Sequence, residues 1–291
     1  MNSERPGLRK QPAESAYFCP ACRNVVAHTY RFSLKGCEIW QCRQCGLGRT
    51  ETAGFDPKDY YTDRYFTGQE ADGYADYLGA ETVLRREFAK AVQLIRRFCP
   101  TGKLLEIGCA YGFFLKEAEP YFDVYGIEPV KEATAHARRA GLKVLSGLVD
   151  GKNMGEIGDV DVIVLFDVIE HLPDPAATLA ICASHLRPGG VVVITTGDFT
   201  SPLARLTGAH WRLMTPPQHL WFFNQRSLAG MLSPLDLRLE QASHPWKVVP
   251  LSLIFFQLGR MFGIQRPVGH FSTVGVPVNL FDALRVVFRK Y

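Results

Sequence analysis

The run Leu104-Leu105-Glu106-Ile107-Gly108-Cys109-Ala110-Tyr111-Gly112 decides how the rest of this 291-residue sequence is read. Lys103–Gly108 is a short apolar strand ending in glycine, and Phe113–Ala118 starts a helix directly after it. A glycine-bearing turn between strand and helix lets backbone approach a ligand closely and offers helix N-terminal N–H groups to a negative group. Twenty residues beyond Gly108, Glu128 closes a second predicted strand, Val124–Glu128, where a carboxylate can accept both hydroxyls of a ribose. Together these describe a site for a nucleoside-containing cofactor. The loop lacks the G-x-G-x-x-G spacing that a nicotinamide or flavin site normally shows.

Strand and helix keep alternating outward from this run. Val130–Ala140 is predicted helical with Gly141 as its stop, and Val160–Phe166 has the near-continuous apolar character of a strand buried on both faces. Asp174-Pro175 has the form of an N-cap and first-turn proline, opening a helix to Leu186. Arg187-Pro188-Gly189-Gly190 then turns into the strand Val191–Thr195. Upstream, Leu84, Phe88, Ala91, Ile95 and Phe98 recur at helical spacing over Glu81–Phe98, and Arg85, Arg86, Lys90, Arg96 and Arg97 form its solvated face. Beyond Asp198 the regularity lapses. Residues 199–224 and 244–274 read as insertions at the ligand-binding end of the sheet, around a helix Ser227–Leu232 capped by Asn224 and a strand Leu235–Ala242. Asp282–Phe288 is a closing strand. This alternation specifies an α/β domain with a parallel sheet, spanning residues 80–291.

The N-terminal part has a different character. Residues 1–15 read as a disordered lead, and residues 51–79 as a connector or lid holding Tyr60, Tyr61, Tyr65, Tyr74 and Tyr77. Between them, residues 16–50 hold five of the eight cysteines. Cys19-Pro20-Ala21-Cys22 and Cys42-Arg43-Gln44-Cys45 are two CxxC knuckles separated by 19 residues. Four thiolates so arranged close a tetrahedron around Zn²⁺ and leave no open position, so the zinc expected here is structural. His28 and Cys37 lie between the knuckles as alternates.

Composition bounds the setting. The chain is 47% hydrophobic and 21% charged, with a net charge of +4 that is too small to argue for nucleic acid. No apolar core follows the basic residues of Met1–Gln11, so no export signal is read and a cytoplasmic location is the default. The most apolar uncharged run, Val248–Gly259, is twelve residues, too short to span a bilayer as a helix. It fills a core, or leaves a peripheral membrane contact over residues 248–262 open.

The loop Glu106 to Gly112 resembles the E/D-x-G-x-G-x-G motif of class I S-adenosylmethionine-dependent methyltransferases, with Ala110 at its middle glycine. The run Phe166, Asp167, Glu170, His171 to Pro175 and the turn Leu186–Val191 match the same family, so the resemblance is close over roughly residues 100–200. The zinc ribbon, the Tyr-rich connector and the stretch Pro216-Pro217-Gln218-His219-Leu220-Trp221-Phe222-Phe223 together resemble bacterial zinc-ribbon methyltransferases of sugar, polyketide and cell-surface polymer pathways. Glu170-His171 is also similar to the quinone-biosynthesis O-methyltransferases. The resemblance implies a Rossmann-like parallel sheet with helices on both faces, a closing antiparallel strand and S-adenosylmethionine as cofactor. Glu106, Gly108, Ala110 and Gly112 would face the methionine end and Glu128 the ribose. Leu148 or Val149 would border the adenine, with Asp150 a candidate for its amino group, and Phe166 and Asp167 would sit beside the reacting centre.

Methyl transfer from a sulfonium is an in-line displacement, so the protein must hold acceptor, methyl and sulfur collinear. A hydroxyl acceptor must also lose a proton, and histidine has the suitable unperturbed pKa. His171, His210 and His219 are the candidates, with Asp167 as a further base. Asp167, Glu170 and His171 could instead bind a divalent ion that activates the hydroxyl. The expected activity is methylation of a hydroxyl on a small-molecule, sugar or lipid-linked acceptor, with N- or C-methylation left open because the donor site is shared by all of them. RNA methylation is the alternative, opposed by the mild charge and by Phe166-Asp167-Val168-Ile169 standing where an Asn/Asp-Pro-Pro-aromatic motif would lie. A third reading, a binding protein using the fold without catalysis, is opposed by the intact glycines and Glu128.

Overall fold

The computed structural model describes residues 13–52, 55, 77–255 and 273–291. The lead residues 1–12, four of the five connector tyrosines, and residues 256–272 of the second apolar stretch lie outside the described residues.

Alternating short strands build an antiparallel meander first: β1 (Glu14–Cys19), β2 (Asn24–Leu34), β3 (Cys37–Cys42) and β4 (Gly48–Glu51). Lys35 and Gly36, both at positive φ (52° and 76°), make the two-residue turn between β2 and β3 that the twist of paired strands favours. Helix α1 (Glu81–Phe98) follows with Val83, Ala91, Val92 and Ile95 buried, one residue round from the expected stripe at its N-terminal end. Then come β5 (Gly102–Ile107), α2 (Phe113–Ala118), β6 (Phe122–Glu128), α3 (Lys131–Arg139) and β7 (Lys143–Ser146). Helix α4 (Gly151–Ile157), β8 (Val160–Phe166), α5 (Pro175–His185) and β9 (Leu186–Gly197) continue the alternation. The chain closes with α6 (Pro202–Thr207), β10 (Trp221–Phe222), α7 (Gln225–Leu232), β11 (Leu237–Ser243), β12 (Lys247–Pro250), β13 (Gly275–Val278) and β14 (Ala283–Lys290).

The main sheet has the order β11-β14-β9-β8-β5-β6-β7. Strands β7, β6, β5, β8 and β9 are parallel, and β14 runs antiparallel between β9 and β11. Successive side chains of a strand point to opposite faces. Leu104, Val162, Val164, Val191 and Val193 therefore meet α1, α2 and α3 on one face. Leu105, Ile163, Leu165, Val192 and Ile194 meet α4, α5 and α7 on the other. Asp174 caps α5 through Ala177 N–H at 2.9 Å, and Asn224 with Ser227 forms a reciprocal capping box on α7. The sheet order reverses between β5 and β8, the crevice where open α/β sheets take ligands.

The stretch 199–224 does more than insert at the sheet's end. Its β10 pairs antiparallel with β4, Trp221 opposite Arg49, so the ribbon's sheet becomes five-stranded with a strand lent by the larger domain. Cys19, Ala21, Cys42, Cys45 and Leu47 belong to the same buried cluster as Leu228, Met231 and Leu232 of α7. A Cβ on Gly230 would come 2.6 Å from the carbonyl of Ala21, so glycine is what allows this helix to lie against the first knuckle. Arg49 adds a charge stacked on Tyr17 at 4.5 Å and on Trp221 at 5.8 Å. Among the described residues, no helix is long and apolar enough to cross a membrane.

Candidate active site

The loop after β5 is shaped by backbone that most side chains resist. Gly108, Ala110 and Gly112 have φ of 69°, 46° and 82°. A Cβ on Gly108 would come 2.6 Å from Val168, because the loops after β5 and β8 lie side by side at the reversal point. Ala110 holds its unusual conformation with its N–H donating to Glu128 Oε2 at 2.8 Å. Val130 N–H donates to the other carboxylate oxygen at 2.9 Å. Burial raises the Glu128 pKa, and these two N–H donors offset only part of that rise. Each oxygen keeps a further lone pair for a ligand hydroxyl.

Glu106 is 4% exposed one residue before the end of β5, and among the described residues its Oε2 has no hydrogen-bond partner. Burial and the neighbouring Glu128 charge raise its pKa well above the carboxylate range. A buried carboxylate oxygen left without a donor calls for a cation or N–H from a ligand. Of the residues expected near an adenine, Leu148 is exposed and Val149 partly buried. Asp150 instead caps α4, accepting from Asn153 N–H at 2.7 Å.

Asp167, at φ 54°, is exposed just past β8 and is held by Lys247 Nζ at 2.8 and 3.1 Å. Phe166 sits edge-on to Phe114 at 4.9 Å with Arg285 above it at 5.7 Å. Three residues on, Glu170 is buried and accepts from Thr196 Oγ1 at 2.9 Å. Burial and the Asp167 charge lift its pKa to about 8. His171 Nδ1 bonds the Gln218 carbonyl at 3.1 Å, and burial lowers its pKa to about 4. Burial, with repulsion from His171, lowers His219 as well, while the Leu213 carbonyl holds one ring nitrogen.

The two imidazoles meet edge to face, centroids 4.7 Å apart, and ligand atoms of Glu170, His171 and His219 all lie within 4.8 Å of one another. Asp167 is outside that group and His219 stands in its place. His210 is exposed at the end of a short 3-10 turn. Trp211, Phe222 and Phe223 are core residues, Trp211 donating to Asp282 at 2.9 Å.

His219 is hung on the ribbon. Thr50 of β4 donates its hydroxyl to the His219 carbonyl at 2.6 Å, and its N–H to the Leu220 carbonyl at 2.9 Å. In the ribbon, Cys19 and Cys45 sulfurs are 3.5 Å apart and those of Cys22 and Cys42 3.7 Å, all four ligand atoms within 4.8 Å. Sulfurs on a tetrahedron of ~2.3 Å zinc bonds are about 3.8 Å apart, so the donor set fits. Burial pushes Cys22 up to about 12, and the hydrogen bond from Cys45 brings Cys19 down to about 3. Cys37 points instead to the Lys35 carbonyl and His28 Nδ1 to the Val26 carbonyl.

Sequence reasoning missed Lys247, Thr50 and Arg285, because each reaches the site from an element remote in the chain and none carries a local motif.

A family model described as "Methyltransferase domain" matches residues 81–242, more than half of the chain. The chain belongs to that family. As an S-adenosylmethionine-dependent methyltransferase it has named relatives at moderate distance. The ubiquinone biosynthesis O-methyltransferase of Xanthomonas axonopodis pv. citri is 30% identical over 196 residues, covering 61% of this chain and 80% of that protein. The protein of the same name from Methylococcus capsulatus is 28% identical over 178 residues, covering 58% and 71%. Among solved structures, magnesium protoporphyrin IX methyltransferase from Synechocystis PCC 6803, with bound SAH, superposes with a TM-score of 0.52 at 12% identity, covering 80% of this chain and 98% of that one. A putative methyltransferase from Bacillus halodurans gives 0.52 at 14% identity, covering 69% and 98%. These similarities establish the methyltransferase fold shared with this chain.

Proposed function

We propose that this methyltransferase transfers the methyl group of S-adenosylmethionine to a hydroxyl of a small-molecule, sugar or lipid-linked acceptor. The observation that carries this reading is the cluster of Glu170, His171 and His219 at the end of β8, beside the loop after β5. A neutral amine is nucleophilic enough to attack before it loses a proton, whereas a hydroxyl is a poor nucleophile until a group takes its proton. The relatives named as ubiquinone biosynthesis O-methyltransferases support the same chemistry.

In this reading Glu106 Oε2 accepts from the ammonium of the cofactor's methionine end. Glu128 keeps its two backbone donors and accepts the ribose hydroxyls with its remaining lone pairs. Leu148 and Val149 border the adenine, and Phe166 and Asp167 flank the methyl. His219 takes the acceptor's proton, with His171 beside it. Lys247 holds Asp167 in place. The ribbon carries one structural zinc on Cys19, Cys22, Cys42 and Cys45.

The geometry also favours a second version of the same reaction. Glu170, His171 and His219 offer a carboxylate and two imidazoles, and His171 Nδ1 is tied to the Gln218 carbonyl, as the rings of metal-binding histidines are tied to backbone carbonyls. A divalent cation held there would lower the pKa of a coordinated hydroxyl.

Radiolabelled methyl transfer to phenolic, sugar and lipid-linked hydroxyl acceptors, with amine analogues as the counter-set, tests the reading. Methyl appearing only on amines would sink it.

Two further outcomes are expected. Glu128→Ala should weaken S-adenosylhomocysteine binding by roughly 1.5–3 kcal/mol, the loss of hydrogen bonds to a charged acceptor. Calorimetry on the folded variant decides, and unchanged affinity rejects the ribose assignment. Binding of total RNA should be weak and flat between two salt concentrations, since phosphate contacts would make it fall steeply with salt. Tight, salt-sensitive retention would favour the RNA reading instead.

A further inference from the structure

Where the ribbon meets the larger domain the surface opens into a cleft of about 680 Å³. Through Arg31, Gln41, Thr200 and Arg205 it joins a smaller one of about 390 Å³. None of the cofactor-loop residues, nor Glu170, His171 or His219, lines either. Two of the neutral amides that line the cleft are already engaged. Asn224 Nδ2 donates to the Cys45 carbonyl at 3.1 Å, and Gln41 Nε2 to the Gly46 carbonyl at 3.0 Å.

The walls are cationic. Arg31 comes from β2, Arg205 from α6 and Arg226 from the first turn of α7, so three separate elements each deliver a guanidinium to one cleft. Among the described residues none of the three has a carboxylate partner, whereas the fourth lining arginine, Arg43, is paired with Glu14 at 2.6 Å. The lining's one carboxylate, Asp198, is taken up by Thr200 at 2.8 and 2.9 Å and by His244 at 3.1 Å. Three like charges around one cavity focus a positive potential in it, and the eight-residue α7 opens there with its positive end. The smaller cleft supplies the other half of a ligand's requirements, with Phe32, Phe199 and Ala204 on its wall.

We propose that this cleft binds a phosphate ester, its phosphoryl group held among Arg31, Arg205 and Arg226 and its apolar or aromatic group in the annex beside Phe32 and Phe199. Guanidinium forks match phosphate oxygens in geometry and stay charged at every physiological pH. The cleft includes Asp198, just past the end of β9, at the same C-terminal end of the parallel strands as Gly108 and Asp167. The site does not depend on which atom of an acceptor is methylated.

Titration calorimetry of the full, zinc-loaded chain with phenyl phosphate and with inorganic phosphate is the test. One phenyl phosphate should bind per chain, more tightly than inorganic phosphate. The double variant Arg205→Gln/Arg226→Gln should weaken it about ten-fold or more, in line with the loss of charged hydrogen bonds. Arg238→Gln, exposed against Tyr291 on the far edge of the sheet, should leave it unchanged. Equal thermal unfolding of the three proteins confirms that the fold is kept. Vesicles of phosphatidylglycerol and of phosphatidylcholine distinguish the phosphate's source. Retention on the former by the wild type and not by the double variant marks a lipid headgroup. No saturable binding of phenyl phosphate or of the anionic vesicles, or binding that the double variant retains, overturns the proposal.

Discussion

Cys42→Ser is expected to empty the ribbon of its zinc and to lower the melting temperature of the whole chain in one transition. Zinc binding in small four-ligand modules is worth on the order of 10–16 kcal/mol, and that energy is folding energy because the site does not exist in the unfolded chain. Here the knuckles are not an appendage. Cys19, Cys42 and Cys45 lie in one buried cluster with Leu228, Met231 and Leu232, and β10 completes the ribbon's sheet. Loss of the metal should therefore destabilise α7 and the stretch before it along with the ribbon. Methyl transfer should fall too, because Thr50 of β4 holds the backbone of His219 and Leu220. Elemental analysis gives the zinc, expected at one per chain in the ribbon, and scanning calorimetry gives the unfolding. Retained zinc would remove the four-cysteine assignment. Zinc loss that melts the ribbon alone, with the main transition unmoved, would remove the coupling.

His219→Gln should slow single-turnover methyl transfer by about 10²–10⁴-fold, the usual loss when a positioned proton acceptor is removed. Affinity for S-adenosylhomocysteine should not change, since no cofactor-loop residue is bonded to His219. His171→Gln applies the same test to the neighbouring ring. A metal count separates the two versions of the reaction. A second, chelator-removable metal per chain, lost in both variants and needed for activity, assigns the cluster of Glu170, His171 and His219 to a cation. Full activity after chelation, with the ribbon zinc still bound, assigns it to proton transfer. If both variants keep full rates, neither histidine takes the proton, and either positioning alone carries the reaction or the base is Asp167.

The α/β order was legible because each of its signals is local. Val160–Phe166 has a side chain for both faces of a parallel sheet, and Asp174-Pro175 is a complete capping signal within two residues. Helix α2 was readable for the same reason, from the glycine turn before it. Strand β7 and helix α4 were not, since Lys143–Ser146 is too short for a period and α4 has glycine at its first and fifth positions. The absence of periodicity there hid that the Asp150 carboxylate, a candidate for the adenine amino group, caps a helix.

The sequence by itself determined which chemistry-bearing groups exist: two CxxC knuckles, the loop Glu106 to Gly112, Glu128, and the histidines. Spacing along a chain can do that much, because a knuckle, a cap or a strand-to-helix turn is made by neighbours. Only the tertiary structure decided which of them meet. Asp167, expected with Glu170 and His171, pairs outward with Lys247 from eighty residues away, and His219 enters the cluster through a backbone held by Thr50. The cleft of Arg31, Arg205 and Arg226 likewise draws on elements nearly two hundred residues apart. Contacts of that range are set by how the sheet reverses and by β10 pairing with β4, and no local pattern encodes them.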